Sequence, residues 1–229
     1  LYMATAGVAA EWYFLNGTDF MPRCGVWESF KRASTTSFGS AAFAGFIIAV
    51  INLLEDLVES SDGNCAILKC IALCILALIK CCFEVLNKFA LIYCATFGVP
   101  FLEGCRRWLE LETKKFIGTL LNSCIINMAL TMHIIVFSLA GAMLGLGFAF
   151  MLMKDSMYLK ILLPVFAFLF SLCIFAALAT PIGTLADTLF VCFAECPENL
   201  KTSASELYEK LVEVYGDQLS KEIHLQDSP

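Results

Sequence analysis

The chain has 229 residues, 59% of them hydrophobic and 16% charged, whereas an ordinary soluble domain is about 45–50% apolar and about 25% charged. That balance argues against a water-soluble fold and for a chain that lives in a bilayer. The net charge of −6 identifies no partner, because the stretch from Glu195 to Pro229 holds eight acidic and three basic residues and so carries −5 of it; no basic patch supports nucleic-acid binding.

The first apolar run, Leu1 to Leu15, is short for a span. We read it as the remaining half of a helix cut by the start of the chain and closed by Asn16, Gly17 and Asp19. A polar connector, MPRCGVWESFKRAS, follows with Arg23, Lys31 and Arg32. Span two, about Thr35 to Leu57, places Ser37, Ala41, Gly45 and Ala49 four residues apart. Such a stripe of small side chains lets two backbones approach closely in lipid, so span two is expected inside the bundle.

After the acidic connector EDLVESSDGN comes span three, about Cys65 to Phe97, which at ~50 Å exceeds one upright crossing. It must tilt, protrude or break near Cys82. Lys80, Glu84 and Lys88 stand at i, i+4 and i+8 along it, and their charged line must meet water or protein rather than lipid. The three are expected to satisfy one another. Pro100 to Lys115 has the composition of an interfacial helix. Span four, about Ile117 to Met153, carries Gly141 and Gly145 as a second small pair, and His133 is a candidate proton relay or a neutral ring bonded to a neighbouring helix.

Span five opens with Ile161 to Ala179, 19 residues without a charge, which rise ~28 Å as a helix. Pro181 and Gly183 interrupt it before an apolar stretch that carries Asp187. Proline removes an N–H and clashes with the preceding turn, so a kink or a break is expected near Thr180. A break would free carbonyls that only protein or a water-lined cavity can satisfy, whereas a mere kink at the cytoplasmic end of the helix would leave Asp187 reaching the headgroup region. Thr180, Pro181 and Asp187 are therefore candidate gating residues, with Lys80, Glu84, Lys88 and His133 as the other intramembrane polar groups. Ser203 and Glu206 form a capping box ahead of an amphipathic tail helix reaching about Ile223.

Most of the twelve cysteines lie in apolar runs, where a free thiol acts as a small hydrophobe; neither a disulfide framework nor a zinc site is indicated. Cys192 and Cys196 are candidates for membrane-proximal palmitoylation. No hydrolase elbow, P-loop, zincin helix or dinucleotide fingerprint occurs, so no enzyme, metal or cofactor is expected. The basic residues of the first and third connectors place those loops, and with them the C-terminal tail, in the cytoplasm.

The segments MPRCGVWESFKRASTTSFGSAAFAGFIIAVINLLE, AGVAAEWYF, VLNKFALIYCATFGVPF, TPIGTLADTLFVCFAECPENL and LYEKLVEVYG resemble, in that order, the choline transporter-like family, above all its fungal and plant-type branch. Glu11 stands where the family usually has a small or hydroxyl residue. The resemblance implies an all-α polytopic membrane protein of about ten helices. This chain would supply the C-terminal half, about five spans plus amphipathic helices, with residues 1–200 in the transporter-like domain and 201–229 as a cytoplasmic tail. It also implies transport of choline or a related small organic cation at the plasma membrane; the alternative is a non-transporting scaffold or lipid-organising protein of the same fold. A quaternary ammonium offers no donor, so its site uses aromatic faces and a carboxylate. Glu11, Trp12, Tyr13 and Tyr93 are the candidates, with an interfacial aromatic belt as the other reading of Trp12 and Tyr13. Glu11 needs a partner in lipid, for which Lys80 or Lys88 is available.

Overall fold

The computed structural model describes residues 1–18, 20, 22–60, 66–115, 118–152, 157–210 and 213. Its elements, in chain order, are α1 (Tyr2–Leu15), α2 (Gly25–Ser34), α3 (Phe38–Glu59), α4 (Ala66–Phe97), α5 (Phe101–Lys115), α6 (Gly118–Leu152), α7 (Met157–Glu195) and α8 (Pro197–Ser203). No strand occurs among the described residues. The stretches Phe38–Glu59, Ile67–Phe97, Ser123–Met151 and Lys160–Glu195 are long and apolar enough to cross a bilayer, and the chain is an all-α membrane protein. The helix resumes over 205–210; most of the predicted tail helix, and the Ser203 side chain of its capping box, lie outside the described residues.

The residues fall into two compact units, one of α1 to α5 together with the chain from Thr188 onward, the other of α6 and α7 as far as Asp187. In the first, α4 is the central support. It runs unbroken for 32 residues and ends at Gly98, whose φ of +67° puts it in the left-handed region that glycine occupies without strain. Its N–H bonds the Cys94 carbonyl at 3.1 Å. The chain then turns through Val99 and Pro100 into α5, which lies against α4: the Phe89 and Trp108 rings stack at 5.1 Å, and a Cβ at Gly104 would come within 2.8 Å of the Ala90 carbonyl oxygen. Burial between the two helices pushes the Cys105 thiol up to about 11, so it stays protonated near neutrality. Met3, Ala44, Ala90, Cys94 and Phe101 form one shared core.

Helix α3 packs on α4 through Ala44 and Ile51, with Ala41 of the small-residue stripe and Ile47 against the same core. Gly45 and Ala49 are exposed, and nothing lies within 4 Å of a Cβ built at Gly45. The expectation that the stripe faces the bundle holds at Ala41 and fails at Gly45 and Ala49: small residues permit a close approach without compelling one. The charged line on α4 has a further partner, beyond Glu84, which acts on Lys80 along the helix. Lys80 reaches across to Glu55 of α3, Nζ to Oε2 2.7 Å, while Lys88 lies 5.9 Å from the Phe89 ring centroid. An opposite charge on a packed neighbour offers Lys80 a partner at hydrogen-bonding distance.

In the second unit α6 and α7 meet at small residues. A Cβ at Gly145 would lie 2.6 Å from the Ala167 Cβ and 3.1 Å from the Pro164 Cα, and one at Gly141 would lie 2.8 Å from the Ser171 Cβ. The Phe137 and Phe175 rings stack beside them at 4.8 Å. Of the two outcomes expected near Thr180, a kink or a break, the break does not occur: α7 is one helix of 39 residues with Pro164 and Pro181 inside it. In lipid a broken helix leaves polar backbone with no solvent, so the chain keeps its ladder wherever it can. Here the hydroxyls of Thr180 and Thr184 donate to the carbonyls of Ala176 and Thr180, both at 2.9 Å, beside the site of the missing proline N–H. Gly183 is a packing position, with Leu130 Cδ1 and Asn127 Oδ1 within 3.3 and 3.4 Å of its would-be Cβ.

The described cysteines are free thiols. Cys192 is fully buried, which removes it as an acylation site; Cys196 is half-buried.

Candidate functional site

Met3, Gly7 and Glu11 recur every four residues on α1 and so share one face. That face receives α2. Ser29, buried, sits so close that a Cβ at Gly7 would lie 3.0 Å from its Oγ. Its hydroxyl donates to Glu11 Oε1 at 3.0 Å, and the Arg32 guanidinium pairs with the same oxygen. Neither Lys80 nor Lys88 is Glu11's partner. Arg32 is nearer along the chain, and α2, read in the sequence as a polar connector, is the helix that presents it.

The Glu11 side chain is only 10% exposed and that of Arg32 53%, so the two ends of the pair are unequal. Removing the guanidinium leaves a buried carboxylate on one neutral hydroxyl, whereas removing the carboxylate returns Arg32 to water. Arg32→Gln is accordingly expected to destabilise the protein by about 1–3 kcal/mol more than Glu11→Gln, and the double variant to behave like Glu11→Gln alone. Thermal melting of the four species in a double-mutant cycle checks this.

Beside the pair is a cavity of about 290 Å³ between α1, α2 and the end of α4, lined among others by Met3, Gly7, Ser29, Arg32, Cys94 and Thr96. Phe97 borders it and begins a chain of rings. Phe97 meets Tyr93 at 5.5 Å and Phe14 at 6.1 Å, and Phe14 meets Tyr13 at 5.1 Å. Both tyrosines are buried and both reach the end of α7. The Tyr93 hydroxyl donates to Glu195 Oε1 at 2.5 Å and the Tyr13 hydroxyl to the Cys196 carbonyl at 2.8 Å.

Of the four residues predicted to hold a cation, the structure joins Tyr13 and Tyr93 through the rings between them and directs Glu11 elsewhere. The reason is helical geometry: positions 11 and 13 are ~200° apart on a helix and cannot face one ligand. Trp12, between them, packs with Tyr13 against Cys192, Phe193 and Leu200. Tyr13 is therefore a core residue and not part of an aromatic belt. Glu195, which the sequence did not single out, supplies the carboxylate that meets the rings; it lies 102 residues from Tyr93, beyond the reach of any local spacing.

A second polar group is built on α6 and α7. Asp187 and Thr184 are 1% and 2% exposed and stand three residues apart, on one side of α7. On α6 the Asn127 side chain donates to the buried Ser123 hydroxyl at 3.2 Å and approaches the Gly183 position. Asp187 is thus enclosed by protein, whereas Thr180 and Pro181 frame the helix one to two turns earlier. His133 belongs to neither group. It is exposed, and its Nδ1 lies 2.7 Å from the Ala129 carbonyl of its own helix; since that oxygen only accepts, Nδ1 carries the proton. Among the described residues no cluster of three metal-ligating side chains occurs.

The chain is similar to proteins of fungi and of Dictyostelium discoideum. Protein pns1 of Aspergillus fumigatus is 27% identical over 229 residues, covering 94% of this chain and 42% of its own length. Protein PNS1 of Saccharomyces cerevisiae is 28% identical over 243 residues, covering 98% and 44%. A CTL-like protein of Dictyostelium discoideum is 27% identical, covering 94% and 40%. The chain therefore spans about two fifths of the length of these relatives. The family described as plasma-membrane choline transporter matches residues 1–198, and with that match across most of its length the chain belongs to the choline transporter family.

Proposed function

We propose that the protein carries choline or a related small organic cation across a membrane, the plasma membrane in this reading, with the tail after α8 on the cytoplasmic side. The observation that carries the proposal is Asp187, a carboxylate enclosed within an apolar span of a chain from this family. A buried carboxylate in a membrane is costly, and where it persists it marks an ion or substrate path more often than a scaffold. The rings from Tyr13 to Tyr93, with Glu195 beside them, offer the faces and negative charge that a cation without donors requires. Glu11 is assigned a different part, because a carboxylate already matched by Arg32 cannot also neutralise a substrate while that pair stands. It anchors α2 over the cavity.

Uptake of labelled choline by cells expressing the full-length protein, compared with empty-vector cells at confirmed surface expression, tests the reading. Saturable uptake above the control supports it. Equal uptake across the whole concentration range sinks it.

A further inference from the structure

Helix α2 is amphipathic in the sense opposite to that of a water-soluble protein. At ~100° per residue, Ser29, Arg32 and Ala33 fall within roughly 80° of Gly25, whereas Val26, Phe30 and Trp27 fall at roughly 100°, 140° and 200° from it. The first group is the face that meets the protein: Ser29 and Arg32 bond Glu11, and Ala33 lines the cavity with them. The second group points away. Val26, Trp27 and Phe30 are 67%, 64% and 49% exposed, and the Trp27 and Phe30 rings stack at 6.1 Å into one apolar surface. Lys31 and, just before the helix, Arg23 are exposed as well. Ser29 and Arg32 are docked and the apolar side is left outward, with Glu28 exposed beside Lys31.

The position of the helix identifies the medium that this surface meets. Only residues 35–37 separate α2 from α3, which is one of the helices able to cross the bilayer. Three residues reach no more than ~11 Å, so α2 sits at the level where α3 leaves the hydrocarbon. An exposed tryptophan with neighbouring aliphatic and aromatic side chains, edged by basic residues, is the composition that settles at a lipid headgroup boundary.

We propose that α2 is an interfacial helix that inserts Val26, Trp27 and Phe30 among the lipids around α3 and selects anionic headgroups through Arg23 and Lys31. The helix would fasten the lid of the Glu11–Arg32 cavity to the membrane surface. The proposal does not depend on the identity of any transported substrate.

Trp27 is one of three tryptophans, so the test reads the difference in fluorescence between the full-length protein and its Trp27→Phe variant, both reconstituted into vesicles. The difference signal is expected to be lost in vesicles of brominated lipid and to persist with aqueous iodide. Brominated phosphatidylglycerol is expected to quench it at lower mole fraction than brominated phosphatidylcholine, by roughly fivefold for each basic residue at the surface. The Arg23→Gln/Lys31→Gln variant, both sites being exposed, is expected to melt as the parent does and to bring that ratio back towards one. Quenching by iodide without quenching by brominated lipid overturns the proposal, as does protection from both, which would mean that protein covers the face. Equal quenching by the two lipids, unaltered by Arg23→Gln/Lys31→Gln, overturns the headgroup selection.

Discussion

Gly145→Val is expected to destabilise the protein by at least about 1–3 kcal/mol, the usual cost of forcing extra carbon into a packed contact. The first added atom would already lie 2.6 Å from the Ala167 Cβ and 3.1 Å from the Pro164 Cα, and neither neighbour is the end of a flexible side chain that could swing aside. Relief requires α6 and α7 to separate along the contact that Gly141 shares, so the Phe137–Phe175 stack would loosen as well. A control lies two residues along the same helix: nothing is within 4 Å of a Cβ at Gly147, and Gly147→Ala should be neutral or slightly stabilising, since alanine favours helix. Gly104→Ala in α5 belongs with the damaging group, because its new carbon would meet the Ala90 carbonyl oxygen of α4 at 2.8 Å. Melting in detergent, followed with a thiol-reactive dye, ranks these variants; a Gly145→Val protein as stable as Gly147→Ala would mean that the helices do not meet there.

Asp187→Asn is expected to reduce choline uptake by about tenfold or more, the effect of losing some 1.4 kcal/mol of stabilisation along the path, with surface expression largely intact. The substitution preserves shape and removes charge from a side chain that is 1% exposed. A variant that is expressed and transports normally would remove the requirement for charge, and one that is degraded would make Asp187 a structural anchor. Comparing labelled-choline uptake per molecule at the surface separates the three outcomes.

The sequence shows its membrane spans well and its tertiary partnerships poorly, for a physical reason. Length and apolarity are local properties, and α3, α4, α6 and α7 lie close to the spans read from the chain. Spacing also located the contact at Gly141 and Gly145. The same rule failed at Gly45, because a small residue permits a close approach without compelling one. Pro181 left a kink and a break both open: its effect on a helix in water is to end it, but in lipid the threonine hydroxyls on either side and the absence of any other partner keep the helix whole. Helix α2 was hidden by Pro22, Gly25 and a density of charge that suggests a loop, and only the docked side chains reveal that its polar face is the inner one. Glu11's pairing with Arg32, and the bonds from Tyr13 and Tyr93 to Cys196 and Glu195, join segments whose association no periodicity announces.

The Lys80–Glu55 bridge bears on how the protein enters the membrane during synthesis. A lone charge costs about 2.5–3.5 kcal/mol at the centre of a span and less towards its ends, and Lys80 meets Glu55 about one turn from the end of α3. Here the two charges stand on successive helices, 25 residues apart, so the second emerges from the ribosome soon after the first. Helix α4 then partitions most readily when α3 is already beside it, as a hairpin delivered to the translocon exit and not as two independent spans. Lys80→Met would make α4 more apolar by itself and leave Glu55, at the connector end of α3, without its partner, shifting part of the cost of insertion from one helix to its neighbour.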